Sequence, residues 1–132
     1  MEILLVKANS DYSEQMKKRM TRCGHHLDVA CDSEEAVRLI RANNYALMFV
    51  DLDEARKTGS DVIEKLKAHQ PGCRIVGMTR KNSRSLELSV RRQGVIFYMV
   101  QPADDQYAET IVQYVSGQLN HKSGQLNHKK EE

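Results

Sequence analysis

Four side chains of different chemistry stand where apolar runs end. Lys7 follows the run Glu2 to Val6, Asp51 follows Ala46 to Val50, Thr79 follows Arg74 to Met78, and Gln101 follows Val95 to Val100. Asp51 is the centre of the set. The run before it is near-continuously apolar, as in a strand buried on both faces of a parallel sheet. A carboxylate just past the carboxyl end of such a strand lies at the lip of an open α/β sheet, where these folds place ligands and chemistry. A plainer role stands beside that one: Asp51 ends a strand and caps a turn.

The elements that must position these residues alternate in type. Glu2 to Val6 reads as a first strand, and Leu27 to Cys31 as a second, by its alternation of apolar and polar residues. Ala46 to Val50, Arg74 to Met78 and Val95 to Val100 supply the third, fourth and fifth. Between them lie helical patterns. Tyr12, Met16 and Met20 recur every four residues, with Asp11 and Glu14 spaced as a capping box and Gly24 as the stop. Asp32 and Glu35 repeat the capping spacing before Ala36, Val37 and Ile40. Val62, Ile63 and Leu66 mark a third helix, stopped near Pro71-Gly72. The segment Ser85 to Arg91 alternates like a strand at Leu86, Leu88 and Val90, but its place between two strands calls for a helix. We assign it as one and expect it to be the least well anchored. Asp104 and Asp105 suit the start of a last helix, whose inner face is Ile111, Val112 and Val115.

This order predicts a three-layer α/β/α domain around a doubly wound, five-stranded parallel sheet. Right-handed crossovers then bring Lys7, Asp51, Thr79 and Gln101 to one crevice.

The chain has 132 residues, 40% hydrophobic and 29% charged, which suits one soluble domain. No run is long enough to cross a bilayer, and Met1 to Val6 is too short for a signal peptide. Three dispersed cysteines, Cys23, Cys31 and Cys73, fit a reducing cytoplasm and a role as core filler. A net charge of +2 argues neither for nor against a nucleic-acid partner. The expected domain spans residues 1–118, and residues 119–132 form an extension. In the tail, Ser116 to Lys122 (SGQLNHK) is repeated letter for letter from Ser123 to Lys129. Each copy has one large apolar residue and one Gly, which is poor coiled-coil material, so a solvated or cloning-derived tail is expected over two added helical turns.

Taken in order, these residues resemble the receiver domain of bacterial two-component response regulators, over residues 2 to 118. Asp51 ends a hydrophobic third strand, with Gly59 at the family's distance after it. Thr79 stands where the family has Ser or Thr, Tyr98 at its aromatic switch position, and Gln101-Pro102 where it has Lys-Pro, Pro102 being a cis-proline candidate. The resemblance implies flavodoxin-like topology and phosphoryl transfer from a histidine kinase to Asp51. It also implies a magnesium ion held by that aspartate and an acidic pair after the first strand. A lysine after the fifth strand would bind the phosphoryl oxygens. The Thr79 hydroxyl and Tyr98 would move together to reshape the surface of the fourth helix, fifth strand and fifth helix.

Two departures bear on this. Lys7 and Ala8 replace the acidic pair, and Gln101 replaces the lysine. Asp51 then offers one carboxylate where magnesium wants one or two plus waters and phosphate. Lys7 places a cation where the ion would sit, and a Lys7–Asp51 salt bridge becomes the physical alternative. Phosphoryl transfer is mostly positioning and charge neutralisation, so the losses should slow it severely.

The expectation is therefore an atypical, or pseudo-, receiver: a protein–protein interaction module rather than an enzyme, with no cofactor. Its partners would be signalling proteins, a histidine kinase or an effector domain, with a homodimer through the last helix and fifth-strand face as a candidate. No nucleic-acid or membrane partner is expected. The alternative is a working phosphoacceptor at Asp51 using magnesium, with Asp53 and Glu54 as substitute metal oxygens. A nucleotide binder of flavodoxin type lacks its glycine-rich loop, since Lys7-Ala8-Asn9-Ser10 has no glycine. The basic residues Lys17, Lys18, Arg19 and Arg22 read as a solvated helix face, His25-His26 as a turn without ligand partners, and Arg91-Arg92 as too few for DNA.

Overall fold

Runs such as EILLV and LMFVD cannot leave either face in water, so they demand cover on both sides. The computed structural model, which describes residues 1–6, 10–53, 59–101 and 105–123, supplies that cover. Its elements are β1 (Glu2–Val6), α1 (Ser10–Arg22), β2 (His26–Ala30), α2 (Ser33–Ala42), β3 (Leu47–Asp51), α3 (Gly59–His69), β4 (Arg74–Thr79), α4 (Arg84–Arg92), β5 (Phe97–Val100) and α5 (Asp105–Ser123). The strands form one parallel sheet in the order β2-β1-β3-β4-β5. This is the flavodoxin-like winding, in which the chain reverses direction across the sheet between β1 and β3.

Alternate residues of each strand feed two cores. Leu4, Val6, Met48, Val50 and Ile75 face Ala36 and Ile40 of α2, Val62, Ile63 and Leu66 of α3, and Val90 of α4. Ile3, Leu5, Leu47, Phe49, Val76 and Met78 face Met16 and Met20 of α1 and Ala108, Ile111, Val112 and Val115 of α5. Burying a large aliphatic or aromatic side chain contributes roughly 1.5–3 kcal/mol, so these two layers carry most of the fold.

The helix ends follow local chemistry. At α2, Asp32 Oδ1 accepts the Glu35 N–H, and Glu35 Oε1 accepts the Cys31 N–H, each at 2.8 Å. That is the expected capping pair, with the return bond one residue earlier than a standard box. Ser83 caps α4 by accepting the Leu86 N–H at 3.0 Å. The α4 C-terminus closes as a Schellman turn: Gly94 has φ +96, its N–H bonds to Arg91 O, and the Val95 N–H bonds to Val90 O.

Several element ends differ from the sequence expectations, β3 running Leu47–Asp51 and β4 extending to Thr79 among them. Helix α1 begins at Ser10, so Asp11 lies in its first turn instead of capping it. The second strand runs one residue earlier than expected, because His26 pairs with Glu2 of β1. The fifth starts at Phe97 rather than Val95, since Val95 closes the preceding helix. The ambiguous segment is helical, and Val90 is its one buried residue while Leu88 is 44% exposed. Helix α5 continues to Ser123, through the first SGQLNHK copy, and the rest of the second copy lies outside the described residues. Among the described residues, no helix is long and apolar enough to cross a membrane.

Candidate functional site

Parallel register sets which strand ends meet. Asp51 pairs with Met78, Thr79 pairs with Val100, and the Gln101 N–H bonds to Thr79 O at 2.7 Å. Asp51, Thr79 and Gln101 therefore stand together at the carboxyl edge of the sheet. Leu52 fixes the exit from β3. Its N–H bonds to Met78 O at 2.8 Å, and its buried side chain lies against Gly77, where an added Cβ would meet Leu52 Cδ1 at 3.0 Å. A side chain at 77 would thus require Leu52 to give by a few tenths of an ångström, so glycine suits that close packing.

The side chains then link up. Asp51 Oδ1 accepts the Asp53 N–H at 2.9 Å, an Asx turn. The plain turn-capping role is accordingly part of what Asp51 does. The Thr79 hydroxyl, 0% exposed, donates to Asp53 Oδ1 at 2.5 Å and accepts the Lys81 N–H at 2.9 Å. Asp53 Oδ2 accepts the Arg80 N–H at 2.7 Å. Both oxygens of Asp53 thereby serve β4 and the loop after it.

Tyr98 lies on the α4 side of β5, half-buried against the core. Its hydroxyl donates to Asn82 Oδ1 at 3.0 Å, and the Arg91 guanidinium stands 5.9 Å from its ring centroid. Burial first, then the charges of Glu87 and Asp53, push its pKa up against the Ser83 backbone bond and Arg91. Tyr98 thus stays a protonated donor at neutral pH.

Of the residues the sequence singled out, the structure gathers Asp51, Asp53, Thr79, Tyr98 and Gln101. Lys7, Ala8, Glu54, Pro102 and Asp104 lie outside the described residues. The sequence reading missed Asn82 and Ser83. Ser83 had a signal, a capping residue just ahead of a helix; Asn82 had none.

The opposite, amino edge of the sheet corrects one expectation. His26 does have carboxylate neighbours: its Nε2 is 2.8 Å from Asp28 Oδ1 and 4.0 Å from Glu2 Oε1. Tyr45 donates to Asp28 Oδ2 at 2.6 Å. The side chains of Glu2, His26 and Asp28 are exposed or half-exposed, with Glu2 and His26 at the amino ends of β1 and β2, away from Asp51.

Comparison with known proteins agrees with this geometry. Residues 3–113 match the response regulator receiver domain family. The chain is 29% identical over 102 residues to the photosynthetic apparatus regulatory protein RegA of Cereibacter sphaeroides, covering 77% of this chain and 55% of that protein. It thus spans about half the length of that relative. A two-component response regulator from Clostridium difficile superposes with a TM-score of 0.84 at 24% identity, covering 91% of this chain and 98% of that one. A CheY-like receiver domain protein from Methanospirillum hungatei gives 0.81 at 19% identity, covering 91% and 97%. The chain belongs to the response regulator receiver domain family, the signalling module of two-component systems.

Proposed function

We propose that this receiver domain is an atypical one, working in the cytoplasm as a protein-interaction module whose surface does not depend on phosphoryl transfer to Asp51. The observation that carries the reading is Gln101, bonded through its N–H to Thr79 O at the edge beside Asp51. It is a neutral amide where the family has a phosphate-binding lysine. Transferring a phosphoryl group needs its spreading negative charge neutralised, and an amide brings no charge. Lys7 and Ala8 stand in sequence where the acidic pair would be, so among the described residues the magnesium donor set shrinks to Asp51 and Asp53. Asp53 already gives both oxygens to Thr79 and Arg80. That set fits magnesium poorly, because the ion wants carboxylate oxygens free to complete an octahedron.

The surface offered to partners is that of α4, β5 and α5. Leu88, Val100, Tyr107 and Tyr114 are large, exposed apolar side chains on those consecutive elements. Tyr114 also meets Phe97 edge-on at 5.9 Å between ring centroids, a rigid aromatic pair. A histidine kinase, an effector domain or a second copy of the chain would dock there.

A second reading, a working phosphoacceptor, is favoured by one observation: Asp51 and Thr79 end neighbouring strands at the same edge. A beryllofluoride and magnesium titration followed by NMR separates the two. The interaction reading expects the amide signals of α4, β5 and α5 to stay in place. Saturable movement of those signals, absent in Asp51→Asn, would establish the phosphoacceptor instead.

A further inference from the structure

The loop from β4 into α4 is fastened by groups that belong to the chain itself. A threonine hydroxyl has one proton to donate, and Thr79 gives its proton to Asp53 Oδ1. At 2.5 Å this is a charge-assisted bond, a class roughly twice as strong as its neutral counterpart. Arg80 is held by the other oxygen of Asp53, and Lys81 by Thr79 itself. Asn82 is held by Tyr98, and Ser83 caps α4. Asp53 is in turn set by the bond from its N–H to Asp51 Oδ1. The chain of contacts runs without a gap from β3 to the surface of α4 and β5.

We infer that the Asp53 carboxylate is a resident acceptor for the Thr79 hydroxyl, one that holds the β4–α4 loop and the α4–β5 surface in a single arrangement with no group added to Asp51. The inference rests on the interaction reading above and supplies its physical cause. A buried hydroxyl at a strand end is drawn over by an anion placed beside it. Here the anion is built into the chain two residues after Asp51. A new anion on Asp51 would have to win Thr79 from a carboxylate already in contact. It would also stand close to that carboxylate's negative charge. Little is left for it to change.

Amide hydrogen exchange on the intact chain, without phosphate analogue or magnesium, tests this with Asp53→Ala and Thr79→Ser. Asp53→Ala is expected to speed exchange at Arg80 by about tenfold, the loss of one hydrogen bond to a charged acceptor. Because Thr79 is released as well, exchange at Lys81 and Asn82 should rise and the Tyr98 ring resonances should move. Thr79→Ser keeps the hydroxyl and should match the wild type. Asp53→Asn keeps the shape without the charge, so it carries the same test if the alanine variant does not fold. Its amide nitrogen cannot accept a hydrogen bond, and the same pattern is expected at smaller amplitude. Changes confined to Arg80, with Lys81, Asn82 and Tyr98 as in the wild type, would overturn the inference. The interaction reading is judged separately, by the beryllofluoride titration of the unaltered chain.

Discussion

Tyr98 on β5 donates its hydroxyl to Asn82 Oδ1 across 3.0 Å, tying the edge strand to the loop that leads into α4. The bond spans 16 residues of sequence and anchors β5, part of the proposed docking surface, to the loop before α4. The bond is open to solvent, so water can replace a lost partner and its net contribution is modest.

Tyr98→Phe and Asn82→Ala should therefore each lower stability by about 0.5–1.5 kcal/mol, measured by urea unfolding. The double variant should cost clearly less than their sum, since both remove the same bond. Strict additivity would mean that the bond contributes nothing.

The sheet was readable in the sequence because its strands are buried on both faces and so appear as unbroken apolar runs. Asp51, Thr79 and Gln101 could be placed at one edge by the same logic, since each follows such a run. Element ends were less legible. Val95 looks like part of a strand, yet it closes the Schellman turn after α4. The bond between Asp53 and Thr79 was not legible at all. The two residues are 26 apart, and they meet where the chain leaves β3 at Leu52, which lies against Gly77. No periodicity encodes that. From sequence, Asp53 offered only a substitute metal ligand.

The Tyr45–Asp28 pair should give stability a plateau with two falling arms. Burial, then the hydrogen bond to Asp28, raises the Tyr45 pKa far above its ordinary 10.0. The folded state keeps a proton that the unfolded state releases, so this contribution is whole below pH 10.0 and declines as the pH rises beyond it. For Asp28, burial alone would raise the pKa. The bonds to Tyr45 and His26 outweigh it and hold the carboxyl below its ordinary 3.8. That contribution is whole above pH 3.8 and is lost as the pH falls through the depressed value. Tyr45→Phe should flatten both arms in thermal unfolding followed across pH.

Gly94→Ala should destabilise the domain by about 1–2 kcal/mol, the usual penalty for an L side chain in the left-handed region. Its φ is +96, and the new Cβ would also meet Lys67 Nζ at 3.1 Å. Gly72→Ala, where an added Cβ has nothing within 4 Å and φ is not positive, is the control and should cost far less. Equal midpoints in chemical denaturation would contradict this account of the α4 terminus.

On the proposed interaction reading, a neutral Gln101 and an already engaged Asp53 leave Asp51 poorly equipped to receive phosphate. Intact-mass spectrometry after incubation with acetyl phosphate and magnesium measures it most directly. The expected spectrum shows the unmodified chain alone. A stoichiometric gain of one phosphoryl group that disappears in Asp51→Asn would contradict the account.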